Sequence, residues 1–167
     1  MASELGVQTI QHTNGTDAMT IDSSGRVNTP ARPAFYAYAD DGWIGLTNAT
    51  YATAALNHTQ FNIGSCYDVS NYKFVAPVAG IYSFSSGAYF DSSVKTRIRL
   101  IDASSTELAW SILDQDATGI SNKMHSIIQL SATDEVTFQV RVDSGADGSS
   151  DVYYGELHTY FSGFLVG

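Results

Sequence analysis

Apolar and polar residues alternate with a period of two along much of this chain. In the segment EVTFQVRVD, Val136, Phe138, Val140 and Val142 share one parity, and polar residues occupy the positions between them. The segments GIYSFSSGAYF at 80–90 and TRIRLID at 96–102 alternate in the same way. Such alternation predicts strands with one buried face, and no segment keeps a helical period of 3.6 residues. The pattern therefore predicts an all-β domain, a sandwich or jelly roll of short strands joined by turns.

The closing segment TYFSGFLVG departs from this alternation, because its large apolar side chains have both parities. The segment AFYAYA at 34–39 behaves in the same way. Strands with two apolar faces need cover on the outer face, and in a domain without helices the favoured cover is another subunit. The residues predicted to lie in this subunit interface are Tyr36, Tyr38, Tyr160, Phe164 and Val166. The alternative is that the loop at 40–58 folds over the same face.

Composition limits the kind of partner. The chain has 167 residues, 44% of them hydrophobic, which is enough for one core plus an extension. Seventeen acidic residues against eight basic ones give a net charge of −9. Arg97, Arg99 and Arg141 are separated from the other basic residues in the sequence, so nucleic-acid binding is disfavoured.

The single cysteine and the first residues of the chain indicate whether disulfides, a zinc site or a secretion signal are to be expected. Cys66 cannot form an internal disulfide, and no Cys/His spacing for zinc is present, so a buried structural thiol is the favoured interpretation. The first residues carry Glu4 and no apolar run, so no secretion signal is evident. The longest apolar stretch is too short for a membrane span. We expect a soluble protein without membrane insertion.

Residues 1–31 differ from the rest of the chain. They are polar and turn-rich, with Asn14-Gly15 and Ser24-Gly25 on either side of a short alternating run. Pro30 and Pro33 then mark the entry to the first convincing strand. We predict two parts, an arm at 1–31 and a compact head at 32–167.

Five segments of the head, in order, resemble the globular head of complement C1q and its relatives, a family that shares its fold with the tumour necrosis factors. They are RPAF at 32–35, NIGSCYD at 62–68, YKFVAPVAGIYSF at 72–84, SIIQLSATDEVTFQV at 126–140 and YFSGFLVG at 160–167. The resemblance implies a ten-stranded, two-sheet jelly roll that assembles as a homotrimer. Two turns depart from the family pattern, which has glycine where this chain has Tyr72 and Gly-Asp where it has Thr133-Asp134.

The arm carries a second resemblance. The stretch AMTIDSSGRV at 18–27 is similar to short β connectors that precede compact domains in fibre, spike and decoration proteins of tailed bacteriophages. A collagen-like stalk, common ahead of these heads in animals, is absent from the sequence. The resemblance implies a virion protein that is made in the host cytoplasm and placed on the capsid or tail.

Catalytic motifs are absent from the sequence, which has no G-x-S-x-G elbow, no H-E-x-x-H and no P-loop. We therefore expect no enzyme and no required cofactor. Acidic clusters could supply oxygen ligands to calcium, which some family members bind, although Asp and Gly also compose ordinary exposed turns and this interpretation is favoured. The calcium candidates are Asp40, Asp41, Asp114, Asp116, Asp143 and Asp147. Aromatic residues beside turns give a candidate patch for a sugar or protein ligand: Trp43, Tyr51, Tyr153 and Tyr154.

Two functions from different classes follow. The first is a non-enzymatic, trimeric appendage of a phage virion, a capsid decoration or tail-fibre tip. Its arm binds other virion proteins, and its head binds a glycan or protein of the host surface. The second is a soluble extracellular module of C1q type that recognises glycans or proteins. A hydrolase on the same scaffold is the least favoured, because no pair of acidic residues suggests it.

Overall fold

The structure is a computed structural model. It describes residues 6–40, 42–143 and 149–167, with side chains for all of these except 44, 92–94, 115–118 and 149–150. The described residues contain strands and turns and no helix, hence no helix long and apolar enough to cross a membrane. The strands are β1 (Thr9–Gln11), β2 (Asp17–Ile21), β3 (Val27–Asn28), β4 (Ala34–Tyr38), β5 (Gly42–Thr47), β6 (Ala52–Thr53), β7 (His58–Ile63), β8 (Tyr67–Asp68), β9 (Lys73–Val75), β10 (Gly80–Ile101), β11 (Glu107–Leu130), β12 (Glu135–Asp143), β13 (Ser149–Tyr154) and β14 (Tyr160–Leu165).

The chain divides into two compact units, Met1–Arg32 and Pro33–Gly167. In the first unit, β1, β2 and β3 form a three-stranded antiparallel sheet. The turn between β2 and β3 is closed by Asp22, whose carboxylate accepts hydrogen bonds from the Ser24 and Arg26 backbone N–H groups. No described residue of this unit is buried. A sheet of this size without a buried face is marginally stable on its own.

The second unit is built around two long strands that cross from one layer to the other. β10 has 22 residues and pairs with the 24-residue β11 along nearly all its length. In one layer the order is β7, β4, β14, β10 (80–90) and β11 (120–130). In the other layer it is β8, β9, β12, β10 (95–101) and β11 (107–114). These ten strand segments form the two layers. The remaining strands pair with them: β6 with β12, and β13 with β10 at 89–90 and with β5. The arrangement confirms the predicted jelly roll.

Phenylalanine rings from both layers fill the space between them. Phe35 and Phe161 come from the first layer and lie 5.0 Å apart, centroid to centroid. Phe35 reaches Phe74 of the second layer at 5.3 Å, and Phe161 reaches Phe138 at 6.0 Å. Cys66 is buried in the same core, and burial raises the pKa of its thiol to about 11. A thiol of that pKa stays protonated and unreactive at neutral pH.

The structure explains why two residues of the C1q-like segments, Gly163 and Asn62, occupy their positions. A Cβ atom on Gly163 would lie 2.5 Å from Cδ1 of Phe84, so only glycine leaves room for that ring between the strands. The Asn62 side chain donates to the Tyr67 carbonyl at 2.9 Å and accepts from the Tyr67 N–H at 3.0 Å. It therefore fixes the loop that contains Gly64, whose φ is +77°.

The two turns that depart from the family pattern keep a glycine-like backbone. Tyr72 has φ of 56° and Thr133 has φ of 74°, both in the left-handed region. A side chain with a Cβ costs about 1–2 kcal/mol in that conformation. The substitutions at these turns therefore leave the fold in place and add local strain.

Candidate functional site

The outer face of the first layer is covered by apolar and aromatic side chains. Strands β4 and β14 alternate, so Phe35 and Phe161 point into the core while Tyr36 and Phe164 point outward. We call this surface the aromatic face; it consists of Tyr36, Tyr38, Phe61, Ile63, Ile81, Ile127, Tyr160, Phe164 and Val166. Phe164 is 48% exposed and Ile127 is 67% exposed. An apolar surface of this extent is unusual for a monomer and typical of an interface.

The centre of the aromatic face is ordered by ring contacts and one hydrogen bond. The rings of Tyr36 and Tyr160 stack with centroids 5.6 Å apart and an interplanar angle of 10°. The Tyr36 hydroxyl donates to the Glu156 carbonyl at 2.6 Å. Burial raises the pKa of Tyr36, and the nearby Tyr160 and Glu156 raise it further. Tyr36 is therefore held neutral and fixed, as a preformed contact surface requires.

The five residues predicted to lie in a subunit interface all lie on the aromatic face, and within the described part of residues 33–167 its side chains stay partly or largely exposed. Residues 42–58 do not fold over it, because β5 pairs with β13 and β6 pairs with β12. The sequence pattern missed Phe61, Ile63, Ile81 and Ile127. A register shift between Tyr36 and Ala37 breaks the alternation of β7 against β4, and Ile127 is followed by the inward-facing Ile128.

Strand β11 presents an open edge. Within the described residues it pairs with β10 alone, in both layers, so its other side carries unpaired backbone groups. Edge strands invite further pairing or packing unless something covers them. The second unit thus has an apolar outer face on its first layer and a long strand edge along β11.

The four aromatic residues predicted as one ligand patch lie in three different places. Trp43 and Tyr153 stay together, with ring centroids 4.8 Å apart, and Tyr153 also contacts His158. Tyr154 is 7% exposed and therefore cannot form part of a surface patch; its hydroxyl accepts from the Ala55 N–H at 3.2 Å. Tyr51 lies on the second layer, beneath Arg99.

The calcium candidates with described side chains each lie close to a histidine, lysine or arginine side chain. Asp40 lies 3.0 Å from His58, and Asp114 lies 2.8 Å from Lys95. Asp143 is bound by two arginines. Asp41, Asp147 and the side chain of Asp116 lie outside the described residues. In the part of the chain with placed side chains, no three His, Cys, Asp or Glu residues form a group that could hold a metal ion.

The expectation that the basic residues are scattered is wrong. Antiparallel pairing of β10 with β12 sets Arg97 directly opposite Arg141, although they are far apart in sequence. Arg99 is the next outward-facing residue of β10. Five of the eight basic residues lie on the outer face of the second layer: Lys73, Lys95, Arg97, Arg99 and Arg141.

The Asp143 carboxylate links two strands of this outer face. It accepts from Arg97 Nε at 2.7 Å and from Arg141 Nη2 at 2.6 Å. Burial works to raise the pKa of this carboxyl, but the hydrogen bonds from Arg141 and Arg97 outweigh burial and hold it below its usual value. Asp143 is therefore ionised at neutral pH and neutralises part of the arginine charge.

Among the histidines, His125 makes the contact that most resembles catalytic machinery. Its Nε2 lies 2.9 Å from Ser83 Oγ, across the pairing of β10 with β11. Within the described residues, no hydrogen bond joins His125 to a carboxylate. A nucleophilic triad needs that third group to orient the ring, so this pair is not an assembled triad.

Comparisons with known proteins agree with this fold. Residues 34–166 match the family profile of the C1q domain. No curated protein matches the chain. Among solved structures, the globular domain of zebrafish complement 1qA protein is similar with a TM-score of 0.61 and 18% identity, over 81% of this chain and 98% of that one.

Tumour necrosis factor relatives have the same architecture. Eiger TNF from S. frugiperda has a TM-score of 0.66 at 10% identity, over 82% of this chain and 94% of that one. Murine APRIL has a TM-score of 0.62 at 10% identity, over 81% of this chain and 99% of that one. Identities this low show the fold alone, whereas the profile match covers most of the chain. The chain belongs to the C1q domain family.

Proposed function

We propose that this protein is a non-enzymatic, homotrimeric recognition head. The observation that carries the proposal is the aromatic face, which is apolar, ordered and exposed within the second unit. In the trimer, the first-layer part of the β11 edge (120–130) of one subunit packs against the aromatic face of the next. Such face-to-edge contact is heterologous, and a three-fold rotation closes it into a ring with no unpaired surface left.

The proposed carrier of this head is the virion of a tailed phage, with residues 1–31 as the attachment segment. Two features support this. The arm sequence resembles phage connectors, and its three-stranded sheet buries no described residue, so it needs a partner to become stable. Capsid decoration and a fibre tip both fit this arrangement. Three heads on one axis would strengthen a weak interaction with a host surface through effective concentration.

A soluble extracellular recognition module is the second candidate. The profile match at 34–166 and the similarity to a complement head favour it, because neither involves the arm. The two candidates make different demands on residues 1–31. A virion protein needs them for attachment, whereas a soluble module binds its ligand without them.

The test of location uses antibodies against the purified head. Phage particles are grown from the genome that encodes the chain, and labelled antibody is followed by electron microscopy. Regular labelling of capsids or tails supports the virion proposal. Unlabelled particles, with the protein free in the culture supernatant, would contradict it and favour the soluble module.

A further inference from the structure

The outer face of the second layer combines basic and aromatic side chains in a way that the proposed assembly does not use. We call its central part the arginine face, defined by Tyr51, Arg97, Arg99, Trp110 and Arg141. The chain as a whole has a charge of −9, so a surface on which three arginines lie close together differs from the rest of this acidic protein. This surface cannot be recognised in the sequence, because three separate strands, β10, β11 and β12, each supply part of it.

The arginine side chains are held in place before any ligand arrives. The guanidinium carbon of Arg99 lies 3.5 Å from the centroid of the Tyr51 ring, and that of Arg141 lies 5.3 Å from it. Arg99 also donates to Gln139 at 2.9 Å and to Glu107 at 2.8 Å. Arginine loses substantial rotamer freedom when it binds a ligand, and prior fixation reduces that cost.

Trp110 lies beside these arginines and points away from the protein. It is 60% exposed and directly opposite Arg99 in the pairing of β10 with β11. Ile112, 39% exposed, is opposite Arg97 in the same register. A flat indole next to fixed guanidinium groups offers an apolar platform and a charged edge to the same ligand.

We propose that the arginine face binds an acidic sugar. The carboxylate of the sugar accepts hydrogen bonds from Arg97 and Arg99, and the C–H face of its ring packs on Trp110. A guanidinium has five N–H donors in a planar fork, more than the bonds to Asp143, Gln139 and Glu107 use. This inference rests on the proposed function and names the ligand class of that recognition head.

Charge complementarity favours a single carboxylate over a polyanion. Four carboxylates, those of Asp114, Asp143, Glu107 and Glu135, pair with basic side chains of this same face. The four carboxylates leave the outer face of the second layer only slightly positive. The acidic remainder of the chain repels a polyanion with many phosphates or sulfates. A sugar with one carboxylate per ring matches a fixed pair of arginines without meeting that repulsion.

The experiment applies the full-length protein to an array of immobilised glycans. The array carries sialylated and uronate-containing glycans, their neutral counterparts, sulfated glycans and single-stranded DNA. We expect binding to carboxylate-bearing glycans and at least tenfold weaker binding to the neutral counterparts. Preference for sulfated glycans or DNA, or no binding to carboxylate-bearing glycans, would overturn the inference.

Variants then assign the site by calorimetry with the carboxylate-bearing glycan that binds best. Trp110→Ala and Arg97→Gln should each weaken binding at least tenfold, and Trp110→Phe should keep most of it because a flat ring remains. Arg26→Gln removes an equal charge from the arm, where the side chain is 79% exposed, and should leave the affinity unchanged. Thermal melting confirms that each variant is folded.

A direct readout uses the two tryptophans of the chain. In a Trp43→Phe background, Trp110 is the only indole, and the bound sugar should shift its emission to shorter wavelength. If the glycan binds but the Trp110 emission does not shift and Trp110→Ala binds as tightly as the wild type, the ligand lies elsewhere and the inference is overturned. The proposed recognition function would still stand. Failure of the proposed trimer is measured separately, by mass in solution.

Discussion

Two phenylalanines of the closing strand, three positions apart, face opposite directions. Phe161 is fully buried among core rings, whereas Phe164 is 48% exposed on the aromatic face. Between them, Gly163 faces the core and leaves room for the rings of Phe84 and Phe35. Within four consecutive residues, the closing motif thus places one ring in the core, one glycine where the strands approach closely, and one ring on the outer surface.

The left-handed turn residue Thr133 gives a prediction about stability. Replacing it with glycine should raise the free energy of unfolding by about 1 kcal/mol, because glycine adopts φ of 74° without the Cβ strain of threonine. Urea unfolding followed by circular dichroism measures the change. Thr137→Gly is the matched control on strand β12 and should lower stability. If both variants lose stability equally, the turn at Thr133 is not strained.

The Asp143 carboxylate gives a prediction about pH. Its pKa is lowered in the folded protein, so its stabilisation is present above the unfolded pKa of about 3.9 and is lost as pH falls through the folded value. Asp143→Asn should therefore cost about 1 kcal/mol at pH 7, and the gap to the wild type should narrow as the pH falls below about 4. Thermal melts between pH 3 and 7 measure it. A gap that stays constant over this range would exclude the ion pairs as its source.

At the residue scale, the sequence predicts contacts between residues that are close along the chain and misses contacts between distant ones. Asn62, Gly64 and Tyr67 act within one loop, and their motif spacing identifies them. The contact of Tyr51 with Arg99 could not be predicted, because the two residues meet only after β6 pairs with β12 and β12 pairs with β10. No local pattern encodes those two pairings.

At the scale of elements, strand length is the main difference from the sequence pattern. The alternating segments at 80–90 and 96–102 predict two strands, and the structure joins them into β10. The residues between them contain neither glycine nor proline, so nothing ends the first strand before the chain passes into the second layer. One continuous strand thereby belongs to both layers.

Packing between β14 and its neighbours gives a prediction at this scale. Gly163→Ala should destabilise the head by about 1–3 kcal/mol, because its Cβ would lie 2.5 Å from a buried ring carbon of Phe84. Gly42→Ala is the control, since nothing lies within 4 Å of a Cβ built there. Chemical denaturation of both variants tests the difference. Equal stability of the two would mean that the strands at Gly163 separate at little cost.

At the scale of the molecule, one head presents three different surfaces. The aromatic face is apolar, the β11 edge carries unpaired backbone groups, and the arginine face carries three of the eight basic residues. The sequence pattern identified the jelly roll and five residues of the aromatic face, because strand alternation is a local signal. It could not identify the arginine face, because that surface exists only when three strands lie side by side.

Assembly through the aromatic face is the central claim, and the mass of the full-length protein in solution tests it most directly. Light scattering after size exclusion should give three chain masses for the wild type. Phe164→Asp should give one chain mass with a folded spectrum, because it places a charge in the interface and leaves the core intact. Phe161→Asp, which buries a charge in the core, should not fold. A wild type of one chain mass at micromolar concentration, or a trimer unaffected by Phe164→Asp, would contradict the claim.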